Sequence, residues 1–278
     1  MLGDAVPGGA IDCHMHIYDS SVPFHAKAGL PHPDATVADY AIVQKSLGLA
    51  RAVVVAPSAY GSDNRVTLSA LAAMGGKARG VVIVEPDVSD QELNALEAAG
   101  ACGARFNFNM IPAPSIDDLV ALAPRLAERG WLMQIGMKSN RLSAEAHHLR
   151  RLPGTLVLEH CAGIPASAAF ETDPAYPFVM DLLDSGRGWV KLSGPYLREP
   201  EGGPRYPMLR PFIRHLVTHA SERLVWGSDW PHPTFVRKPD ARELFGLMWE
   251  WAPEEEVRTR ILVTNPAQLY GFSEPNAH

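Results

Sequence analysis

Residues 10–16 read Ala10-Ile11-Asp12-Cys13-His14-Met15-His16. Side chains alternate faces along a strand, so His14 and His16 point one way while Ile11, Cys13 and Met15 point the other. The stretch therefore reads as a strand with an apolar back and a chemically loaded front. Two imidazoles side by side can bind a metal ion, or together polarise one carbonyl oxygen. A pair of structural or surface histidines has the same spacing, so the pattern alone does not decide.

Outward from this stretch, short apolar runs alternate with longer helical patterns to the end of the chain. The strand candidates are Ala10–His16, Arg51–Ala56, Gly80–Glu85, Ala104–Phe108, Leu132–Gly136, Leu156–His160, Trp189–Ser193 and Leu224–Asp229. Several are rich in Val, Ile and Leu, as parallel strands covered on both faces should be. Ser89-Asp90-Gln91-Glu92 predicts a capping box before Leu93 and Leu96, and Ser115-Ile116-Asp117-Asp118 predicts another before Leu119 and Leu122. Asn265-Pro266 predicts a cap residue and an N1 proline opening a last short helix. Eight strands alternating with helices over 278 residues predict an α/β fold, a (β/α)8 TIM barrel forming a single domain over 1–278. An open doubly wound sheet is the alternative. Three irregular stretches, Tyr18–Ala35, Pro195–Pro207 and Pro231–Pro239, each follow a strand. In a barrel they fall at the C-terminal face, where substrate loops sit.

Two further strands end in chemistry. Leu156-Val157-Leu158-Glu159-His160 closes an apolar run with a histidine, and Leu224-Val225-Trp226-Gly227-Ser228-Asp229 closes one with a carboxylate before Trp230-Pro231-His232-Pro233. A charged Asp ending a buried strand is costly unless it is paired or used. Each piece has a bland reading, such as an Asp capping a loop. Together they deliver His14, His16, His160 and Asp229 to one barrel face.

The composition bounds the partners. Hydrophobic residues make up 46% and charged residues 20%, with a net charge of −6. A mildly acidic chain argues against nucleic acid, whose binding needs clustered Lys and Arg. No apolar run approaches a membrane span, and the N-terminus lacks the layout of a signal peptide. Cys13, Cys102 and Cys161 are odd in number and few, which argues against a disulfide framework and for a cytoplasmic location. A homo-oligomer is left open.

These motifs, with Gly61-Ser62-Asp63-Asn64, Lys77-Ala78-Arg79-Gly80, Arg105-Phe106-Asn107-Phe108 and Thr264-Asn265-Pro266, resemble the amidohydrolase-related family of TIM-barrel hydrolases. Within it the chain is similar to the 2-pyrone-4,6-dicarboxylate lactonases and their relatives. The resemblance spans nearly the whole chain and implies a lactonase, a hydrolase acting on a cyclic carboxylic ester. It makes Asp229 the general base that takes a proton from the attacking water. It makes His14, His16 and His160 the groups that polarise the lactone carbonyl. On this reading Asp229 keeps a near-normal acidity and is ionised at neutral pH.

Metal-dependent relatives add a strand-five His and a strand-four Lys or Glu. Here those strands read Leu132-Met133-Gln134-Ile135-Gly136 and Arg105-Phe106-Asn107-Phe108. The resemblance thus implies that no metal is required, while zinc on His14, His16, His160 and Asp229 stays open. Arg105 resembles the carboxylate-binding arginine of the family, although an internal salt bridge is also open to it. Ser58, Tyr60, Asn107, Tyr196 and His232 are the other candidate substrate contacts, with His232 read chiefly as a support for Asp229. Arg198, Arg237 and Lys238 lie on loops where solvated charges are commonplace, and Lys191 reads as a structural partner of Asp12 or Glu159. His147, His148, His215 and His219 read as ordinary helix or surface positions. Met110, Met137, Tyr176 and Phe235 either line the site or fill the core. Ile111, Ile164 and Thr234 replace polar residues of the pyrone enzymes. A lactone with one acidic group, a muconolactone or a sugar-acid lactone of aromatic or sugar-acid catabolism, fits better than the dicarboxylate. A lactone isomerase, a zinc-dependent hydrolase or decarboxylase, and a non-catalytic ligand-binding barrel are the alternatives.

Overall fold

The computed structural model describes residues 6–28, 32–234 and 237–273. Eight strands pair in parallel and in chain order: β1 Ile11–Met15, β2 Arg51–Val55, β3 Ala78–Val82, β4 Ala101–Asn107, β5 Leu132–Gly136, β6 Leu156–Leu158, β7 Gly188–Leu192 and β8 Leu224–Trp226. Between them run α1 Val37–Leu47, α2 Arg65–Met74, α3 Asp90–Ala98, α4 Ile116–Glu128, α5 Ser139–Leu149, α6 Tyr176–Asp184 and α7 Arg210–Ala220. After β8 come α8 Ala241–Trp251, α9 Glu255–Thr259 and α10 Asn265–Tyr270. This is the (β/α)8 barrel that the alternation of apolar runs predicts. The strands are short and buried on both faces, which explains their near-continuous apolar character.

The helices follow from local sequence. Ser89 and Ser115 each accept from the backbone N–H three residues on, and Glu92 and Asp118 answer back, so both expected capping boxes form. In α4 the residues Leu119, Leu122, Ala123 and Leu126 recur at helical spacing and all are buried against the sheet. Burying each leucine contributes roughly 1.5–3 kcal/mol.

Strands β6 and β8 stop at Leu158 and Trp226, so His160 and Asp229 lie just past the strands expected to end in them, and two further expectations need correction. Strand β3 starts at Ala78 and stops at Val82, so Ile83, Val84 and Glu85 belong to the loop that follows. The apolar run continues past the point where pairing ends, and apolarity alone cannot place that point. Asn265 is not a cap, because helical backbone runs from Glu255 through a π-turn at Arg260–Thr264 into α10. Its side chain instead donates to the carbonyls of Ser221 (2.8 Å) and Leu224 (2.7 Å), pinning the C-terminal helix to the entrance of β8.

The seam between the first and last strands is closed by residues just past β8. Asp229 N–H donates to His14 O (2.8 Å) and His16 N–H donates to Trp230 O (2.8 Å). Asp12 accepts from Ser228 N–H (2.9 Å), from the Ser228 hydroxyl and from Tyr40 Oη (3.0 Å). Gly227 lets the two backbones meet, since a Cβ there would lie 2.6 Å from His14 Cβ and 2.9 Å from His14 N.

Candidate active site

Strands β1, β6 and β8 bring His14, His16, His160 and Asp229 to the C-terminal end of the barrel. His14 Nε2 lies 3.2 Å from His16 Nε2, and Asp229 Oδ1 lies 3.3 Å from His16 Nε2 and 3.6 Å from His14 Nε2. The His14 and His160 rings are 4.7 Å apart between centroids. His16 Nδ1 donates to Val55 O (2.7 Å), which fixes its proton on that nitrogen and aims Nε2 at the carboxylate. His160 Nδ1 pairs with Ser193 Oγ at 3.0 Å. Both His160 (φ 47°) and Asp229 (φ 58°) are in the left-handed region, a backbone cost of the sort found where a side chain must be aimed.

Burial dominates the electrostatics. It pushes His14 well below its ordinary value, and the charges of Lys191 and Arg105 push the same way. Burial also lowers His160, against the pull of Asp229 and Glu159. For Asp229 burial alone would raise the pKa. The nearby His160 and His16, with a hydrogen bond from Tyr196, outweigh it and hold the carboxyl well below the usual range. Asp229 is therefore more acidic than the near-normal value expected, and firmly ionised.

A cavity of about 280 Å³ opens over this cluster. His16, His160, Asp229, Arg105, Asn107, Ser58 and Tyr18 line it, with Lys138 and Arg198 among its cations. His14 lies beneath, fully buried. A larger groove of about 530 Å³ lies outside, against Trp230, His232, Lys238 and Arg242, and contains none of the four converging residues.

Arg105 donates to both Glu159 oxygens (2.7 and 3.0 Å) and to Ala56 O (3.0 Å), so its guanidinium is held by the protein. Gly136 leaves room for that pair, because a Cβ there would stand 2.7 Å from Glu159 Oε2. Lys191 reaches neither Asp12 nor Glu159. It donates to Cys13 O and to Gln134 Oε1, and Gln134 passes the link to Glu159 through Nε2 (2.6 Å). Tyr60 hydrogen-bonds the backbone of Asp19 and does not line the cavity. Asn107 donates to Ser58 Oγ (3.3 Å), and both face the cavity. Tyr196 and His232 stand behind Asp229.

Met110 lines the cavity, Met137 is core, Tyr176 bonds His215, and Phe235 lies outside the described residues. The sequence reading passed over Tyr18, His32, Asn109 and Lys138. Tyr18 had a signal, as it continues the alternation from His14 and His16. Lys138 had one too, two residues beyond a strand end.

Two overlapping trios could hold a metal ion: His14, His16 and Asp229, and His14, Glu159 and His160. The four ligands expected to act together thus divide between two trios. The first fits a cation in donor chemistry, and His16 has the outer carbonyl partner common for metal-bound imidazoles. His14 Nδ1 has no such partner among the described residues. None of their helices is long and apolar enough to cross a membrane.

The family profile described as Amidohydrolase matches residues 11–272. A 4-sulfomuconolactone hydrolase of Hydrogenophaga intermedia is 32% identical over 96% of this chain and 90% of its own. A D-galactarolactone isomerase of Agrobacterium fabrum is 32% identical over 98% and 94%. The apo crystal structure of an Agrobacterium tumefaciens protein superposes with a TM-score of 0.91, at 29% identity over 98% and 96%.

Proposed function

This chain belongs to the amidohydrolase family, and from that premise we propose that it opens the ring of a small acidic lactone by hydrolysis. One observation carries the reading. An ionised, buried carboxylate and two imidazoles converge within 3.6 Å at the floor of a cavity of about 280 Å³, room for a small molecule. Asp229 takes a proton from water as the water attacks the lactone carbonyl. His16 and His160, which line the cavity, face the carbonyl oxygen and steady the charge that develops on it, with His14 packed beneath them. Asp229 then returns the proton to the departing ring oxygen. The positive charges of Lys191 and Arg105 bear on His14.

Substrate acidity is read at the cavity wall. Arg105 is bound to Glu159, so Lys138 and Arg198 are the cations available to a carboxylate or sulfonate on the substrate. Arg198, which donates to Gly163 O through its Nη1 (2.8 Å), supports this, as its Nε is buried without a partner among the described residues. The similarity to a relative named as a 4-sulfomuconolactone hydrolase supports an anionic lactone as the substrate.

A bound divalent ion would be held by His14, His16 and Asp229, and would polarise the carbonyl and acidify water. We propose that none is required. Activity is expected to survive chelation, and complete loss restored by zinc would overturn this. A second reading, isomerisation, is favoured by the similarity to the galactarolactone enzyme. Turnover of muconolactone and sugar-acid lactones in ¹⁸O water separates the two, since hydrolysis places label in the product and isomerisation does not. Asp229→Asn is expected to abolish turnover with the circular dichroism spectrum unchanged. Retained activity would end the general-base assignment.

A further inference from the structure

Tyr196 is 1% exposed and does not line the cavity, although its neighbours Leu197 and Arg198 do. Its hydroxyl donates to Asp229 Oδ2, while Oδ1 faces His16 and His14. A phenol has one proton. With that proton on Oδ2, the Tyr196 oxygen can only accept from His232 Nδ1, 3.2 Å away. The two rings meet edge to face, 5.5 Å apart at 86°. His232 in turn donates its backbone N–H to Asp229 O (2.7 Å), so base and brace share one turn.

We propose that Tyr196, braced by His232, is a positioning residue that locks Asp229 Oδ2 and so reserves Oδ1 as the atom that takes the proton. This rests on Asp229 being the base. The torsion that swaps the two oxygens of a carboxylate is soft, so an unheld Asp can turn either one toward the reaction. A charge-assisted O–H···O⁻ bond removes that freedom. The alternative role, substrate contact, would need the hydroxyl in the cavity, and Tyr196 is not among the residues that line it. Burial and the adjoining Asp229 charge also raise Tyr196 well above an ordinary phenol, so it keeps the proton it donates.

The test is Tyr196→Phe, which keeps the ring and deletes the donor. In its crystal structure the Asp229 carboxylate should be rotated or divided between two orientations. On muconolactone kcat should fall on the order of 10²-fold, as expected when a reacting group loses its orientation, with KM nearly unchanged. His232→Leu should lower kcat in the same sense. His232→Asn, whose amide nitrogen can stand in for Nδ1, should restore most of it; these two variants carry the test if Tyr196→Phe does not fold. A raised KM at constant kcat would return Tyr196 to substrate binding, and an unrotated carboxylate or unchanged kcat would overturn the proposal. The carboxylate orientation reads Tyr196 whatever lactone is accepted. Activity retained in Asp229→Asn would instead sink the base assignment, so the two failures are distinct.

Discussion

Arg105 and Lys138 both reach the cavity as cations, but only Arg105 is fixed to a buried carboxylate. Arg105→Ala leaves the buried Glu159 without its ion-pair partner, with only the Gln134 amide among the described residues still donating to it, so denaturant unfolding should show a loss of about 3–5 kcal/mol. The ratio of KM values for anionic and neutral lactones should stay constant. Lys138→Ala should do the reverse, raising KM about ten-fold for the anionic lactone only, as the loss of one charged hydrogen bond predicts. The same pair sets an acid limit. Burial alone would raise Glu159, but the Arg105 guanidinium and its hydrogen bonds, with help from Gln134, hold it at about 2. Unfolded, the carboxyl takes its ordinary value of 4.5, so the unfolded chain binds more protons between those limits. Stability from this group is complete above about pH 4.5 and is lost as pH falls toward 2, a change of roughly 3 kcal/mol. Unfolding curves of wild type and Glu159→Gln at pH 6 and pH 3 should differ accordingly, and parallel curves would refute it. At this scale the sequence was half legible. His14, His16, His160 and Asp229 stood out because strand alternation and strand ends betray them. The partners of Arg105, Lys191 and Tyr196 did not, because side chains on non-adjacent strands carry no mark of which will meet.

The seam elements β1 and β8 depend on close approach at Gly227. Gly227→Ala puts a methyl group against His14 backbone, so overpacking should destabilise by about 1–3 kcal/mol. It should also lower kcat beyond what the lost stability explains, as His14 and Asp229 are hydrogen-bonded across that seam. A variant with wild-type melting and wild-type kcat would show that the seam tolerates the extra carbon. Capping boxes at Ser89 and Ser115 were readable because cap and partner lie three residues apart. The role of Asn265 was hidden, because Ser221 and Leu224 precede it by some forty residues.

The barrel as a whole was readable because parallel strands buried on both faces cannot hide their apolar character, and eight of them in alternation admit few architectures. The seam has one more consequence, for the order in which the protein comes into being. Residues 14 and 16 leave the ribosome early, but their carboxylate partner at 229 emerges some two hundred residues later, together with the backbone groups that close the cylinder. No nascent chain shorter than that can hold the two halves of its chemistry together. With Asp229 as the proposed base, turnover begins only when the last strand docks.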